Sequence, residues 1–234
     1  MKILVYTDVH GNKYALDALY LTNDYQNADL RIFLGDAFAM CPYPNECLKM
    51  IFDSGDVFLM GNHDSYCAYG LPAEEFKYFK ADKREHQTYM RNKVSDIYKE
   101  KLKTLSKGYF LDCDGIKFYF THYAWESDRL VCDNPEKHEI PTEKTAELFK
   151  NIDADYIIYG HNHFSSELVC NGKTLICVGS LGMKYPGNYD IITIENGIVK
   201  IEKKTITFDV EKLKREMLEE NYPRAIGYSK WFNE

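Results

Sequence analysis

The sequence begins with the stretch KILVYTDVHGN at residues 2–12, where a short apolar run leads directly into polar side chains. The run Lys2–Thr7 is rich in branched apolar residues and has the length of one buried strand. Asp8 and His10 follow where such a strand would open into a loop, and Asn12 is a residue type that begins helices. The stretch therefore predicts a strand, a polar loop and a helix in succession.

The same order repeats twice more along the chain. Leu30–Leu34 is a second apolar run and ends at Gly35 and Asp36. A third run, Asp56–Met60, is followed by GNHD at residues 61–64, and a helix with proline at its start separates the two runs. Open α/β sheets bind their ligands at the carboxyl ends of their strands. This order therefore predicts a β-α-β-α-β unit with polar side chains along one edge.

Beyond residue 70 the sequence predicts one helical segment and then mostly strands. The helical segment is placed at about 71–107, with apolar residues on one face and lysines on the other. Asp-Gly and Asn-Gly pairs predict tight turns between several later apolar runs. The predicted later strands are Tyr109–Asp112, Ile116–Thr121, Tyr156–Tyr159, Glu167–Cys170, Thr174–Val178, Ile191–Glu195 and Val199–Phe208. We also expect a surface loop over Trp125–Ile140, a helix from Pro141 and a final amphipathic helix over about 210–220.

Length and composition are those of an ordinary globular protein. The 234 residues are 45% hydrophobic and 28% charged, without an internal repeat or linker, so we expect a single domain over residues 1–234. Charged residues come too early for a secretory signal, and no apolar run reaches the roughly 18 residues of a membrane helix. We therefore expect a cytoplasmic protein with no membrane contact. The seven cysteines include no Cys-x-x-Cys pair, which argues against a disulfide framework or a structural zinc site.

The net charge of −7 argues against binding to long nucleic acids, because proteins that bind them are normally basic. The charge is uneven, however. The segment Lys77–Lys107, named the basic segment, holds ten Lys or Arg residues against four Asp or Glu residues. It is either the solvated face of a helix or a basic wall over an anionic substrate. In the second case, we expect Lys80, Lys83 and Arg84 to lie near the substrate.

Histidine is concentrated in the polar stretches that follow the predicted strands. Five of the seven histidines lie there, together with aspartates and one asparagine. These residues are Asp8, His10, Asp36, Asn62, His63, Asp64, His122, His161 and His163. The first two stretches are weak evidence alone, because Asp or His after a strand more often caps a turn or a helix. GNHD at residues 61–64 and GHNH at residues 160–163 are more specific. Imidazole and carboxylate groups together bind first-row transition metals, and two such metals can activate water against a phosphate ester. The full set therefore predicts a two-metal site.

This set resembles the motifs of the calcineurin-like metallophosphoesterase superfamily, and the chain is most similar to its YfcE-like phosphodiesterase branch. In that branch a Gly-Pro-x-Pro-x-Glu stretch follows a Gly-Asp motif, and CPYPNE stands at residues 41–46 here. The likeness runs from about Met1 to Asn196. It implies an α/β fold, namely a two-layer β-sandwich flanked by helices, with the site at the strand ends.

The resemblance also implies a role for each motif residue. The implied metal ligands are Asp8, His10 and His163 for one ion, Asn62, His122 and His161 for the second, and Asp36 as the bridge. His63 is not a ligand in this scheme; it protonates the leaving oxygen and is oriented by Asp64. The nucleophile is a hydroxide that bridges two divalent transition-metal ions, with Mn²⁺ as the expected metal and Fe, Zn²⁺ or Ni²⁺ as alternatives.

Two classes of function remain open from the sequence. The first is a metal-dependent phosphoesterase for a small phosphorylated substrate, such as a nucleotide, with phosphodiesters favoured over monoesters on resemblance alone. The second is a non-catalytic metal-binding scaffold or protein-interaction module of the same fold. Loss of a ligand or of His63 would favour the scaffold, and every one of these residues is present. A DNA exonuclease of the same superfamily is disfavoured by the acidic net charge.

Overall fold

The structure is a computed structural model that describes residues 1–73, 79–126, 129–130 and 143–233. The strands are β1 (Lys2–Tyr6), β2 (Leu30–Phe33), β3 (Val57–Phe58), β4 (Gly108–Cys113), β5 (Ile116–Thr121), β6 (Trp125–Glu126), β7 (Arg129–Leu130), β8 (Tyr156–Tyr159), β9 (Ser166–Cys170), β10 (Lys173–Cys177), β11 (Gly187–Glu195) and β12 (Ile198–Ile206). The helices are α1 (Lys13–Tyr20), α2 (Asn23–Gln26), α3 (Pro44–Ser54), α4 (Asn62–Tyr69), α5 (Ala81–Lys93), α6 (Asp96–Leu102), α7 (Glu143–Leu148), α8 (Val210–Glu220) and α9 (Ala225–Lys230), followed by a 3₁₀ helix over Trp231–Asn233.

The described strands form two five-stranded mixed sheets and one short hairpin. The first sheet has the order β12-β11-β1-β2-β3, in which β1, β2 and β3 run parallel. The second has the order β4-β5-β8-β10-β9, in which β5, β8 and β10 run parallel. Parallel strands of one sheet end at the same edge, so each sheet gathers the loops that follow its parallel strands.

Alternate side chains of the inner strands pack into different apolar layers. Ile3 and Val5 of β1 lie between the sheets against the phenylalanines of β5, whereas Leu4 and Tyr6 pack against the helices outside the first sheet. In the second sheet, Ile158 belongs to the layer between the sheets, and its neighbours in β8 pack outward towards α7. Burying both faces of the inner strands in this way stabilises the stack. The predicted two-layer β-sandwich flanked by helices is confirmed.

Capping and turn residues place several boundaries where the sequence predicts them. Asn12 caps α1, because its side chain accepts a hydrogen bond from Ala15 N at 3.1 Å. Gly55 ends α3 in the left-handed conformation, with a φ of 76°. The hairpin between β11 and β12 turns at Asn196 and Gly197, both with positive φ, as a two-residue turn requires.

The helical segment predicted at about 71–107 contains two helices in its described part. Val94 adopts an extended conformation between α5 and α6. Asn45 of α3 fixes this break, because its amide group donates to the last carbonyl of α5 at 2.7 Å and its oxygen accepts from Ser95 N at 3.0 Å. The predicted apolar face nevertheless continues across the break, because Val94 and Leu102 are buried in the same layer, and Ile97 departs from it with an exposure of 63%.

Two other predicted elements differ from the structure or lie outside it. The strand predicted over Asp56–Met60 is the shorter β3, after which Leu59 forms an isolated bridge with Ser106. The loop predicted over Trp125–Ile140 begins with β6 and β7. Its later part and the predicted helix start at Pro141 lie outside the described residues, as do residues 74–78 of the helical segment.

The C-terminal chain contributes helices to the same layers. The structure has α8 at the predicted position, whereas α9 and the 3₁₀ helix have no counterpart in the sequence analysis. Tyr222 and Tyr228 pack into the apolar layer that also contains α1 and α3. Arg224, directly before α9, has a left-handed conformation with a φ of 69°. Within the described part of the chain, no helix combines the length and the apolar composition needed to cross a membrane.

Candidate metal centre

The polar loops that follow five strands meet at one end of the two sheets. A direct contact joins the sheets there, because His161 N, after β8, donates to Asp8 Oδ2, after β1, at 3.0 Å. All nine predicted site residues are buried at this end: Asp8, His10, Asp36, Asn62, His63, Asp64, His122, His161 and His163. We name the loops that carry them the cleft floor.

Left-handed backbone conformations are concentrated in the cleft floor. Five of the predicted metal ligands have φ between 50° and 68°, although none of them is glycine: Asp8, His10, Asp36, His161 and His163. Such conformations cost about 1–3 kcal/mol each and persist where surrounding structure holds them. Here Asp8 N donates to Gly35 O at 3.0 Å, and His10 N donates to Asp36 O at 2.9 Å. Backbone contacts therefore fix the direction in which the ligand side chains project.

Glycines in these motifs permit close contacts between the loops. A Cβ atom on Gly61 would lie 2.1 Å from Asp36 Oδ1, and one on Gly160 would lie 2.2 Å from Thr7 Oγ1. A larger residue at either position would displace the loop that carries Asp36 or the one that carries Asp8. The glycine before each of these motifs is thus a requirement of the site geometry.

The first predicted ligand group is assembled in the structure. His10 Nε2 lies 3.0 Å from His163 Nε2 and 3.5 Å from Asp8 Oδ1, and His163 Nε2 lies 3.1 Å from the same oxygen. Neither of these contacts with Asp8 Oδ1 has hydrogen-bond geometry, so the buried Asp8 oxygen accepts no hydrogen bond among the described residues. Buried acceptors normally have a partner, so an atom of this kind needs an explanation such as an ion. The three side chains fit a divalent transition metal in donor type and in spacing.

The second predicted group is arranged around the Asn62 side chain. Asn62 Oδ1 lies 3.1 Å from His122 Nε2 and 3.0 Å from His161 Nδ1. The other ring nitrogen of His122, Nδ1, is buried and has no hydrogen-bond partner in the described part of the chain. Asn62 comes from the first sheet and the two histidines from the second, so this group also depends on the packing of both sheets.

Asp36 lies between the two groups. Its Oδ2 atom is 3.7 Å from His10 Nε2 and 3.3 Å from His122 Nε2. Burial lowers the pKa of His122, but the carboxylates, Asp36 first among them, outweigh this effect and raise the pKa to about 9. Burial likewise opposes ionisation of Asp36, yet the neighbouring histidines hold the pKa of that carboxyl below its usual range. Asp36 is therefore ionised and positioned between both ligand groups.

His63 has one neighbour that the motifs do not reveal. The amide nitrogen of Gln87, on α5, lies 2.8 Å from His63 Nδ1. Burial lowers the pKa of His63 to about 3, so the ring is neutral. With Gln87 donating to Nδ1, the ring carries its proton on Nε2. His63 also lies with His10 and Asp36 in a third group of side chains with metal-ligand spacing.

Asp64 has different partners from those expected. Its Oδ2 atom accepts hydrogen bonds from Asp36 N at 2.7 Å and from Gly61 N at 3.0 Å. Its Oδ1 atom accepts a hydrogen bond from Ala37 N at 3.0 Å. These bonds fix the backbone of the Asp36 loop. The expectation that Asp64 orients His63 is therefore wrong, and among the described residues Gln87 makes that contact.

Comparison with known proteins agrees with this geometry. The calcineurin-like phosphoesterase family profile matches residues 1–165, which include all of the predicted metal ligands. The chain belongs to the calcineurin-like phosphoesterase family. The superfamily resemblance predicted from the motifs is thereby confirmed.

Similarity to other proteins extends over nearly the whole of this calcineurin-like phosphoesterase. The uncharacterised protein MJ0912 of Methanocaldococcus jannaschii is 27% identical and matches 96% of this chain and 95% of its own length. A metallophosphoesterase from Sphaerobacter thermophilus has a TM-score of 0.71 and 18% identity, with 99% of this chain and 98% of that chain covered. The hypothetical protein PH1004 from Pyrococcus horikoshii OT3 has a TM-score of 0.78 and 14% identity, with 97% of both chains covered. The shared fold therefore continues beyond residue 165.

A cavity of about 160 Å³ opens between the cleft floor and two segments outside the motifs. We name these segments, residues 79–87 and 224–231, the cleft rim. The rim residues that line the cavity are Phe79, Lys80, Lys83, Arg224, Tyr228 and Trp231. The sequence analysis included the two lysines in its basic segment and missed the others. The only signal for the lysines was their excess charge, and no local pattern distinguishes the C-terminal residues.

His86 connects the rim to the floor. It is buried, with Nδ1 2.8 Å from Pro223 O, and its Nε2 accepts a hydrogen bond from Met40 N at 3.2 Å. Its ring also packs against Tyr222 and Tyr228, with centroids 5.7 and 4.9 Å apart. Burial lowers the pKa of His86 to about 4, so the ring is neutral, donating through Nδ1 and accepting through Nε2. This histidine, which lies outside every motif, therefore joins the C-terminal segment to the loop that follows Asp36.

Proposed function

We propose that this protein is a binuclear metal-dependent phosphoesterase that hydrolyses small phosphate esters, with phosphodiesters preferred over monoesters. The observation that carries the proposal is the convergence of two ligand groups on the ionised Asp36 carboxylate. In the first group, the buried Asp8 Oδ1 atom accepts no hydrogen bond among the described residues. The preference for diesters rests on the resemblance to the YfcE-like branch.

The assignment of ligands follows the two groups. Asp8, His10 and His163 would hold one ion, Asn62, His122 and His161 would hold the other, and Asp36 would serve both. Two bound ions would supply Lewis acidity to the phosphoryl oxygens and activate water near neutral pH. Mixed imidazole, carboxylate and amide donors favour Mn²⁺, Fe, Zn²⁺ or Ni²⁺, and we propose Mn²⁺. Because Asn62 is neutral, it limits the negative charge that an anionic substrate meets.

His63 is assigned to the leaving group. The neutral ring, with Nδ1 engaged by Gln87, has its proton on Nε2, and the residue lines the cavity. A hydrogen-bond donor there stabilises the negative charge that develops on the leaving oxygen as the P–O bond breaks. Asp64 supports this chemistry indirectly, because it holds the backbone of the Asp36 loop.

Removal and return of metal test the proposal directly. Protein stripped by a chelator should hydrolyse neither bis(p-nitrophenyl) phosphate nor p-nitrophenyl phosphate, and it should regain turnover with Mn²⁺. The diester should be the better substrate by kcat/KM. Full activity in excess chelator, with no metal detected by elemental analysis, would contradict the mechanism. Two bound metals without turnover on any ester would instead favour the scaffold alternative.

A further inference from the structure

The cleft rim brings three cationic side chains to the cavity that contains Asn62 and His63. Lys80 and Lys83 come from the start of α5, and Arg224 comes from the residue before α9. The three lie in two segments that are far apart in the sequence, so their meeting depends on the docking of the C-terminal helices.

Contacts with the rim hold two of these cations in place. Lys83 Nζ lies 4.0 Å from the centre of the Phe79 ring. The Arg224 guanidinium lies 5.1 Å from the centre of the Tyr228 ring, and its Nε atom is 3.7 Å from Asp82 Oδ2. The Asp82 carboxylate offsets one of the three positive charges. Three cationic side chains therefore line the rim side of the cavity, one of them beside a carboxylate.

The rest of the basic segment behaves differently. Lys99 pairs with Asp96 at 3.0 Å, and Lys103 pairs with Glu100 at 2.6 Å, in both cases within α6 or at its end. Arg84, which the sequence places near the substrate, donates instead to Phe79 O at 2.6 Å. Lys99 and Lys103 thus pair with local acids, whereas Lys80 and Lys83 of the same segment line the cavity.

We propose that Lys80, Lys83 and Arg224 form a subsite for a second phosphate group, so that the preferred substrates are nucleotide esters that carry a phosphate in addition to the scissile one. This inference rests on the proposed function, because the scissile phosphate is the one at the metal centre. Charge-assisted hydrogen bonds from lysine and arginine to phosphate are among the strong ones, and a cluster of like charges also attracts a polyanion from a distance.

The test uses two esters that differ by one phosphate group. These are thymidine 5′-(p-nitrophenyl phosphate) and the same compound with a 3′-phosphate, both releasing p-nitrophenolate. We expect the Mn²⁺-loaded wild type to show about a tenfold higher kcat/KM for the bisphosphate, the effect of one charge-assisted contact. The ratio should fall as salt screens the rim.

Variants assign that ratio to the rim. In the double variant Lys80→Gln/Lys83→Gln, the ratio of the two kcat/KM values should fall to between about one and two. In Arg224→Gln the ratio should fall by a smaller factor, because Asp82 already offsets the charge of Arg224. Lys99→Gln, a lysine of the same basic segment that is not part of the cavity wall, should leave both values unchanged. A wild-type ratio near one, or variants that lower both esters by the same factor, would overturn the subsite.

A binding measurement separates failure of the subsite from failure of the proposed function. If neither ester is hydrolysed, the phosphoesterase proposal fails. The subsite can still be tested by calorimetry, which compares the affinities for thymidine 5′-monophosphate and thymidine 3′,5′-bisphosphate. Tighter binding of the bisphosphate by wild type, reduced in Lys80→Gln/Lys83→Gln, supports the subsite. Equal affinities for the two nucleotides overturn it.

Discussion

The cleft floor and the cleft rim enclose the same cavity but are held in different ways. The floor loops are fixed through their backbone, in left-handed conformations secured by bonds such as Asp8 N to Gly35 O. The rim side chains are carried by helices and depend on side-chain packing, as with Lys83 over the Phe79 ring. Under the proposed function, this difference makes metal binding and substrate contact separable. We expect floor substitutions to affect the metals or the chemistry, and rim substitutions to leave both metals bound.

The largest effect is expected at His63, which lies in the floor but is assigned to chemistry. His63→Asn should retain both metals and lower kcat by about 10²–10⁴-fold, because the leaving oxygen loses the imidazole N–H that stabilises its negative charge. The loss should be smaller for p-nitrophenyl esters than for alkyl esters, since p-nitrophenolate leaves with little protonation. Elemental analysis and turnover of both ester types measure this. Loss of a metal would move His63 into the ligand shell, which its spacing to His10 and Asp36 allows.

A smaller effect is expected at Gln87, the rim residue that contacts His63. Gln87→Leu should keep both metals and lower kcat by about tenfold, because Nδ1 loses the donor that fixes the ring and its tautomer. The decrease should again be larger for alkyl esters, which a general loss of packing would not produce. Thr88→Ala, on the same helix but exposed, is the matched control and should retain wild-type turnover. Equal decreases for all leaving groups would contradict a positioning role.

The smallest effect on activity is expected at His86, which joins rim and floor and whose predicted effect is on stability. Its pKa is about 4 in the folded chain, below the ordinary value of 6.5, so the unfolded state binds the proton more readily. The stability that a neutral His86 contributes is therefore complete above pH 6.5 and is lost as the pH falls towards 4, by about 3 kcal/mol in all. Urea unfolding at pH 7 and pH 4.5 should show a smaller loss for His86→Gln than for wild type. Equal losses would contradict this assignment.

Much of the floor could be predicted because its signals are local. A ligand such as Asp8 or Asp36 follows its strand within three residues, so an apolar run and the polar residues after it are read together. The glycine before each motif is a second local signal, because the close contacts at Gly61 and Gly160 leave no room for a Cβ atom. The strands of the two sheets were predictable for the same reason. Apolar runs and turn pairs such as Asn196 and Gly197 are properties of residues that are neighbours in the sequence.

The partners of the floor residues were not predictable in this way. The sequence places Asp64 beside His63, but the turn of α4 directs its carboxylate to the backbone of the Asp36 loop. Gln87, which does contact His63, is 24 residues away along the chain. The break between α5 and α6 likewise depends on Asn45 of α3, which no pattern within the segment itself contains.

The sequence by itself determined most of the strands, the residue types gathered at the strand ends and the family of this protein, because hydrophobic periodicity and strand-end motifs act over a few residues. Only the tertiary structure decided which side chain positions His63, which lysines of the basic segment reach the cavity and how the C-terminal helices complete it. His86 and Pro223, whose contact helps to hold those helices, are 137 residues apart. Contacts of that kind arise from the packing of whole elements against one another, and no short stretch of sequence encodes them.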